Sequence, residues 1–384
     1  MIKNVFFKNL LINSVFKGIS VVNQVIPKDD NQILLYSDLG FRDNVRYLYD
    51  FLIEQGYNQK YKIVCAVKDY EKLDKDVPEN VNFVSPVKGV LKYLTSNHVF
   101  YCFGRLPINT ARNQRVIQMW HGTSFKGFAQ NMKKSAAHAD KFYTYVYASS
   151  EYFRPIVEKK FNCSPDHVAI CGHPRTDVMY HTKPDYDLGD FKKVIMWMPT
   201  FRQSKTLGMT DVAQASILPF LEDSELGEFD DFLRSQNVEI IVKLHPMQDV
   251  TAVNLTNFTN LKLLSNTKFD ETGWDLYKLL SCSDALITDY SSVFYDYLLL
   301  NRPIGFTEDD VEEYSQKRGF AVDPEKFRPG THMKSLDDLK QFIMDTAQNQ
   351  DQFIEQRKEI NELANQFQDG KNCLRSLTLS NIGK

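Results

Sequence analysis

Four short stretches carry side chains able to do chemistry on a phosphate. In QMWHGTSFKG (118–127) an apolar run ends in a histidine, a glycine, two hydroxyls and a lysine. His121 has the chemistry of a general base, and Gly122 permits close backbone approach. Thr123 and Lys126 join them as candidate substrate contacts. Arg202, in Pro199-Thr200-Phe201-Arg202, is a forked, permanently charged donor that matches a pyrophosphate. His245, between Leu244 and Pro246, is a second candidate catalytic histidine. Asp289-Tyr290-Ser291-Ser292 opens a predicted helix, where unpaired N–H groups and the helix dipole attract an anion. Each stretch alone has a plainer reading: N-capping by Asp289 or Ser291, a surface ion pair for Arg202, a satisfied turn residue for either histidine. Their shared position argues for chemistry, because each follows directly on a predicted strand.

Those strands belong to an alternation that starts near residue 32. Ile33–Tyr36 is a short apolar run. Val45, Leu48, Tyr49, Leu52 and Ile53 then recur at helical spacing until Gly56. Further strands are predicted at 61–67, 98–103, 115–119, 142–148 and 168–171, with helices at 87–94 and 150–160. After a polar stretch the alternation restarts. It has strands at 194–198, 238–244, 285–288 and 303–306, helices at 275–281 and 291–300, and a helical tail capped by Ser335. Two successive βαβ arrays predict an α/β fold of two Rossmann-like domains, 29–185 and 186–384, hinged near 181–192. Ligands of such sheets bind beyond the carboxyl ends of the strands, which places the expected site in a cleft between the domains.

Composition narrows the classes. The 384 residues suit two domains, and 43% hydrophobic with 25% charged residues is the balance of a folded soluble chain. A formal net charge of −3 gives no reason to expect nucleic acid as a partner. Six scattered cysteines without metal-ligand spacing read as reduced thiols in a cytosolic setting. Glu308-Asp309-Asp310 reads as a solvated acidic turn rather than a metal site. GxxxxGK[ST], GxGxxG and GxSxG motifs are all absent. Residues 1–28 carry four lysines and no acid on an amphipathic pattern too interrupted to span a bilayer. With Val15, Phe16 and Ile19 on one side, that segment suits either an anionic membrane surface or the protein's own surface.

Taken in order, the motifs resemble the CDP-glycerol/CDP-ribitol polyol-phosphate transferases that build teichoic acids. The resemblance rests on SDLGFRDNVRYLYDFL (37–52), WHGTSFKG (120–127), GHPRTD (172–177), MPTFR (198–202), VKLHP (242–246), ITDYSSVFYDYLLLNRPIGF (287–306), RGF (318–320) and RPG (328–330). It implies a GT-B-like fold and transfer of glycerol phosphate or ribitol phosphate from a CDP-polyol to a hydroxyl of a lipid-linked acceptor. CMP would be released, with no further cofactor or metal, at the cytoplasmic face of the membrane as a peripheral protein. It also implies His121 as the base, with Arg202, His245, Ser291 and Ser292 on the donor phosphates. Ser124-Phe125 replaces the Pro-Leu often seen after WHGT. A nucleotide-sugar GT-B glycosyltransferase and a non-catalytic GT-B-like assembly protein are the alternatives.

Overall fold

Apolar runs flanked by turns become parallel strands, and in a parallel sheet covered on both faces such runs are buried almost throughout. The computed structural model describes residues 5–73, 76–103, 106–127, 139–181, 184, 186–200, 203–204, 209–210, 218–244, 258–308 and 319–383. The chain divides into two compact units: Met1–Gly122 with Lys134–Asp177 and Gln366–Lys384, and Thr123–Lys133 with Val178–Asn365.

The first unit holds a seven-stranded sheet. Its strands are β1 (Asp29–Ser37), β2 (Lys62–Val67), β3 (Val81–Val84), β4 (Ser96–Tyr101), β5 (Arg115–Gln118), β6 (Tyr145–Ala148) and β7 (Val168–Ile170). They lie all parallel in the order β3-β2-β1-β4-β5-β6-β7. The order reverses between β1 and β4, the switch point at which α/β sheets bind ligands. Its helices are α1 (Val5–Val25), α2 (Asp43–Glu54), α3 (Tyr70–Leu73), α4 (Pro86–Thr95) and α5 (Arg154–Phe161). Val45, Leu48 and Leu52, three of the residues read as periodic, form the fully buried face of α2.

The second unit repeats the plan with β8 (Lys193–Met198), β11 (Val238–Lys243), β12 (Leu261–Leu264), β13 (Ala285–Thr288), β14 (Ile304–Thr307) and β15 (Thr331–Met333). Between β8 and β11 stands a small hairpin of β9 (Gln203–Ser204) and β10 (Met209–Thr210). The sheet order is β12-β11-β8-β13-β14-β15, reversing between β8 and β13. Helices α6 (Leu226–Gln236), α7 (Asn266–Glu271), α8 (Leu276–Cys282) and α9 (Val293–Tyr297) follow in chain order. The fold class is thus the expected one, an α/β chain with two parallel-sheet units of Rossmann order.

Three expectations need correction. The boundary falls at 177/178 rather than 185/186, and the tail from Gln366 joins the first unit rather than the second. The physical reason is a cap: Asp177 accepts from the amides of Asn372 (2.9 Å) and Cys373 (2.7 Å), holding the helix Asn372–Leu379 by its N-terminus. Gly172 permits that approach, since a Cβ there would lie 2.4 Å from Asn372 Oδ1. The second correction concerns 123–127, expected in the first domain. Phe125 is 1% exposed and packs edge-on against Phe294 at 5.2 Å, while the Gly127 amide donates to Gly319 O, so the segment belongs to the second unit. Third, from Ser14 onward, where the side chains of α1 are described, its apolar residues do not share one side. Phe16, Ile19 and Ile26 pack on the first unit's core, and Ser20 and Asn23 bond Asn109. Val15, Val21, Val22 and Val25 face outward, the last two helical turns leaving Val21 69% and Val25 77% exposed. Among the described residues no helix is long and apolar enough to cross a membrane.

Candidate functional site

In the first unit, β5 delivers the chain to His121 through a backbone conformation few side chains adopt. Trp120 sits at φ +55° and Gly122 at +131°, so the peptide turns sharply on either side of the histidine. A left-handed non-glycine residue costs about 1–2 kcal/mol, which neighbours must offset. The Trp120 amide donates to Gln118 Oε1 (2.9 Å), and its carbonyl accepts from Asn44 Nδ2 (3.0 Å). Its ring meets Phe161 edge-on at 5.0 Å and carries the Lys160 ammonium 4.6 Å above it. The His121 ring is half-buried, stacked on Phe103 with centroids 5.3 Å apart. Phe103 and Asp43 are themselves left-handed, at φ +49° and +58°.

Charge around this ring is arranged by Asp43 and Arg175. Arg175 Nη1 donates to both Asp43 oxygens (2.8 and 2.9 Å) and to the His121 carbonyl (2.9 Å), and its side chain is 4% exposed. Asn44 completes the frame: its Oδ1 accepts from the Arg175 amide at 3.2 Å, and its Nδ2 lies 3.4 Å from His173 Nδ1. Burial would raise the Asp43 carboxyl, but the Arg175 guanidinium and His121 hold it below the usual range. Burial pulls His121 down to about 4, opposed by Asp43 and reinforced by Lys160 and Arg175. The ring is therefore neutral at pH 7, in the form that accepts a proton. His173, fully enclosed, is pulled down by burial and by Arg175 to about 3.

In the second unit, β13 leads into Asp289-Tyr290-Ser291-Ser292 as expected, but Asp289 is not a ligand-facing group. It is fully buried, and its carboxylate accepts from the Thr200 amide (3.0 Å) and hydroxyl (2.7 Å) and from the Tyr290 amide. Asp289 therefore ties the loop after β8 to the serine turn, a positioning role. Ser291 and Ser292 are half-buried ahead of α9. That helix is five residues long and passes into a 3₁₀ turn, Leu298–Leu300, so donor groups rather than a long dipole would attract an anion. Thr123 is buried and Lys126 pairs across a β-bridge with Phe320, within the second unit. Gly122 stays with His121. Arg202 and His245 lie outside the described residues, although β8 and β11 end just before them as expected. Lys243 turns inward onto Asn266 (3.1 Å). Glu308 is not a solvated turn residue: Arg328 Nη2 lies 2.6 Å from its Oε1 and His332 Nδ1 2.7 Å. Asp309 and Asp310 lie outside the described residues. Among the described residues no group of three or more His, Cys, Asp or Glu could hold a metal.

Asp43, Asn44, His173 and Arg175 were not singled out from the sequence. The rule used for the other sites finds the last two, because GHPRTD follows β7 directly. Asp43 and Asn44 hide in what reads as an ordinary helix start. In the second unit, a cavity of about 310 Å³ lined by Pro303, Ile304, Thr331 and Arg357 lies at the amino ends of β14 and β15, opposite the strand end that carries the serine turn.

Comparison with known proteins gives the chain's relatives. The chain is 27% identical over 373 residues to a teichoic acid poly(ribitol-phosphate) polymerase of Bacillus spizizenii, covering 90% of this chain and 56% of the relative, little more than half its length. It is 27% identical over 349 residues to a teichoic acid glycerol-phosphate primase of Bacillus subtilis, covering 84% of this chain and 86% of the relative. Among solved structures, a variant of the wall teichoic acid polymerase TagF superposes with a TM-score of 0.76 at 22% identity, covering 98% of this chain and 95% of that one, which establishes a shared fold. The profile of CDP-glycerol:poly(glycerophosphate) glycerophosphotransferases matches residues 19–378, and the chain belongs to that family.

Proposed function

We propose that the chain transfers glycerol phosphate or ribitol phosphate from a CDP-polyol to a hydroxyl of a lipid-linked acceptor in teichoic acid or related polymer synthesis, releasing CMP. The observation that carries this reading is the presentation of His121. An unprotonated imidazole stands at the end of a central strand, its carbonyl and its surrounding charge both set by the Asp43–Arg175 pair. In this reading the first unit supplies the base and the second the grip on the diphosphate, through Ser291, Ser292, Arg202 and His245. The acceptor oxygen attacks the polyol-bearing phosphorus as the bond to CMP breaks, and His121 takes the hydroxyl proton. Such transfers depend mainly on positioning and on neutralising phosphate charge. A dianionic donor arriving near His121 raises its proton affinity, which suits a base that must be neutral first and protonated later.

The outward valines of α1 support a peripheral membrane location. Val15, Val21, Val22 and Val25 form an apolar ridge beside exposed Lys17, and no acidic residue precedes Asp29. This is the composition of a segment that rests on an anionic leaflet. Incubation with CDP-glycerol, CDP-ribitol and UDP-sugars, each with a synthetic lipid-linked acceptor, tests the whole reading by mass spectrometry. CMP and a polyol-phosphate-extended acceptor are expected. UDP release instead supports the glycosyltransferase alternative, and binding without turnover supports an assembly protein.

A further inference from the structure

Glu308 ends β14 one strand away from the serine turn. Thr288 pairs with Phe306 in the parallel ladder, so Tyr290 and Glu308 each stand two residues past that pair, on strands about 4.8 Å apart. β13, the serine turn, α9 and β14 make one βαβ unit, beginning at the point where β8 and β13 part. In a mononucleotide-binding βαβ unit the phosphate lies at the turn after the first strand. An acid about 20 residues on, at the end of the second strand, takes the ribose hydroxyls. Glu308 stands nineteen residues after Asp289, at that place.

Its surroundings fix the carboxylate at that strand end and in its charged form. Arg328 is wholly buried, with its guanidinium 5.9 Å from the Tyr290 ring centroid and 5.7 Å from that of Phe306. It and His332 both approach one oxygen, Oε1. Burial would raise the Glu308 carboxyl, yet His332 and Arg328 outweigh it and hold it below its ordinary value, so the group is ionised. An ionised carboxylate accepts only, and its two oxygens match the paired hydroxyls of a ribose.

We propose that Glu308 binds the ribose hydroxyls of the donor's nucleoside and makes the chain select a ribonucleotide over its 2′-deoxy counterpart. The inference rests on the CDP-polyol reading. Its test is titration calorimetry of the full chain with CMP and with 2′-deoxy-CMP, on the wild type, Glu308→Gln and Glu308→Asp. The wild type is expected to bind CMP on the order of 10- to 100-fold more tightly, since a hydrogen bond to a charged group is lost with the hydroxyl. Glu308→Gln is expected to bring the two ligands within about threefold. Glu308→Asp keeps the charge beside Arg328, so it serves if the amide variant fails to fold, and it too should lose most of the preference. Equal binding of both ligands by the wild type overturns the proposal, as does a preference retained in the folded variants. Absence of CMP binding altogether overturns the donor reading beneath it, a result distinct from loss of discrimination.

Discussion

Arg175 donates from one nitrogen, Nη1, to the Asp43 carboxylate and to the carbonyl of His121, so a single guanidinium fixes both the candidate base and its nearest negative charge. Lysine can supply the charge, but its ammonium ends a flexible stem without the planar guanidinium that holds Nη1 in place between the three oxygens. Arg175→Lys is therefore expected to lower kcat by about 10- to 100-fold with little change in KM for the CDP-polyol. CMP release measured across donor concentrations checks it, and a change confined to KM would place Arg175 on the donor.

The acid limb of the pH–rate profile should report His121. Its depressed proton affinity, about 4, puts the limb of kcat/KM well below the 6.5 of a free histidine. Lys160→Met removes a cation that disfavours the imidazolium, so the limb moves to higher pH. Asp43→Asn removes the opposing negative charge, so it moves lower. Limbs that stay fixed in both variants would mean another group titrates.

Stability should fall with acid through the same cluster. His173 is held near 3 in the fold against 6.5 when unfolded, so below pH 6.5 the unfolded chain binds a proton the folded chain refuses. Between pH 7 and pH 5 that one residue costs about 2 kcal/mol. Urea denaturation at the two pH values, on the wild type and His173→Gln, is expected to show a shallower decline in the variant.

Asp289→Asn tests the inner tie of the second unit. The amide turns a donor towards groups that are already donors, Thr200 and Tyr290, leaving a buried N–H unpaired at about 1–3 kcal/mol. A lower Tm together with weaker CMP binding is expected. Weaker binding at unchanged Tm would return Asp289 to direct contact with the ligand.

Much of this frame was readable from the chain itself, and what escaped did so for identifiable reasons. Interior strands such as β13 read as short apolar runs because both faces are covered. β3, β12 and β15, all edge strands of three or four residues, lack that signal and were not predicted. His121 and the serine turn stood out as chemical residues just after strong strands. The Asp43–Arg175 pair did not, because 132 positions separate its members and only the folded chain brings them together. The tail was assigned to the wrong unit because a helix capped by Asp177 looks, in sequence, like any polar amphipathic helix. Phe125, read as a departure from the Pro-Leu often seen after WHGT, is a core anchor of the second unit.

The central claim is that His121 removes the acceptor proton without holding the donor. The most direct test is paired measurement on His121→Ala of CMP release with acceptor present and of CDP-glycerol or CDP-ribitol affinity by calorimetry. Turnover is expected to fall by about 10²- to 10⁴-fold while donor affinity stays within about threefold of the wild type. Turnover near the wild-type rate in that variant would contradict the account.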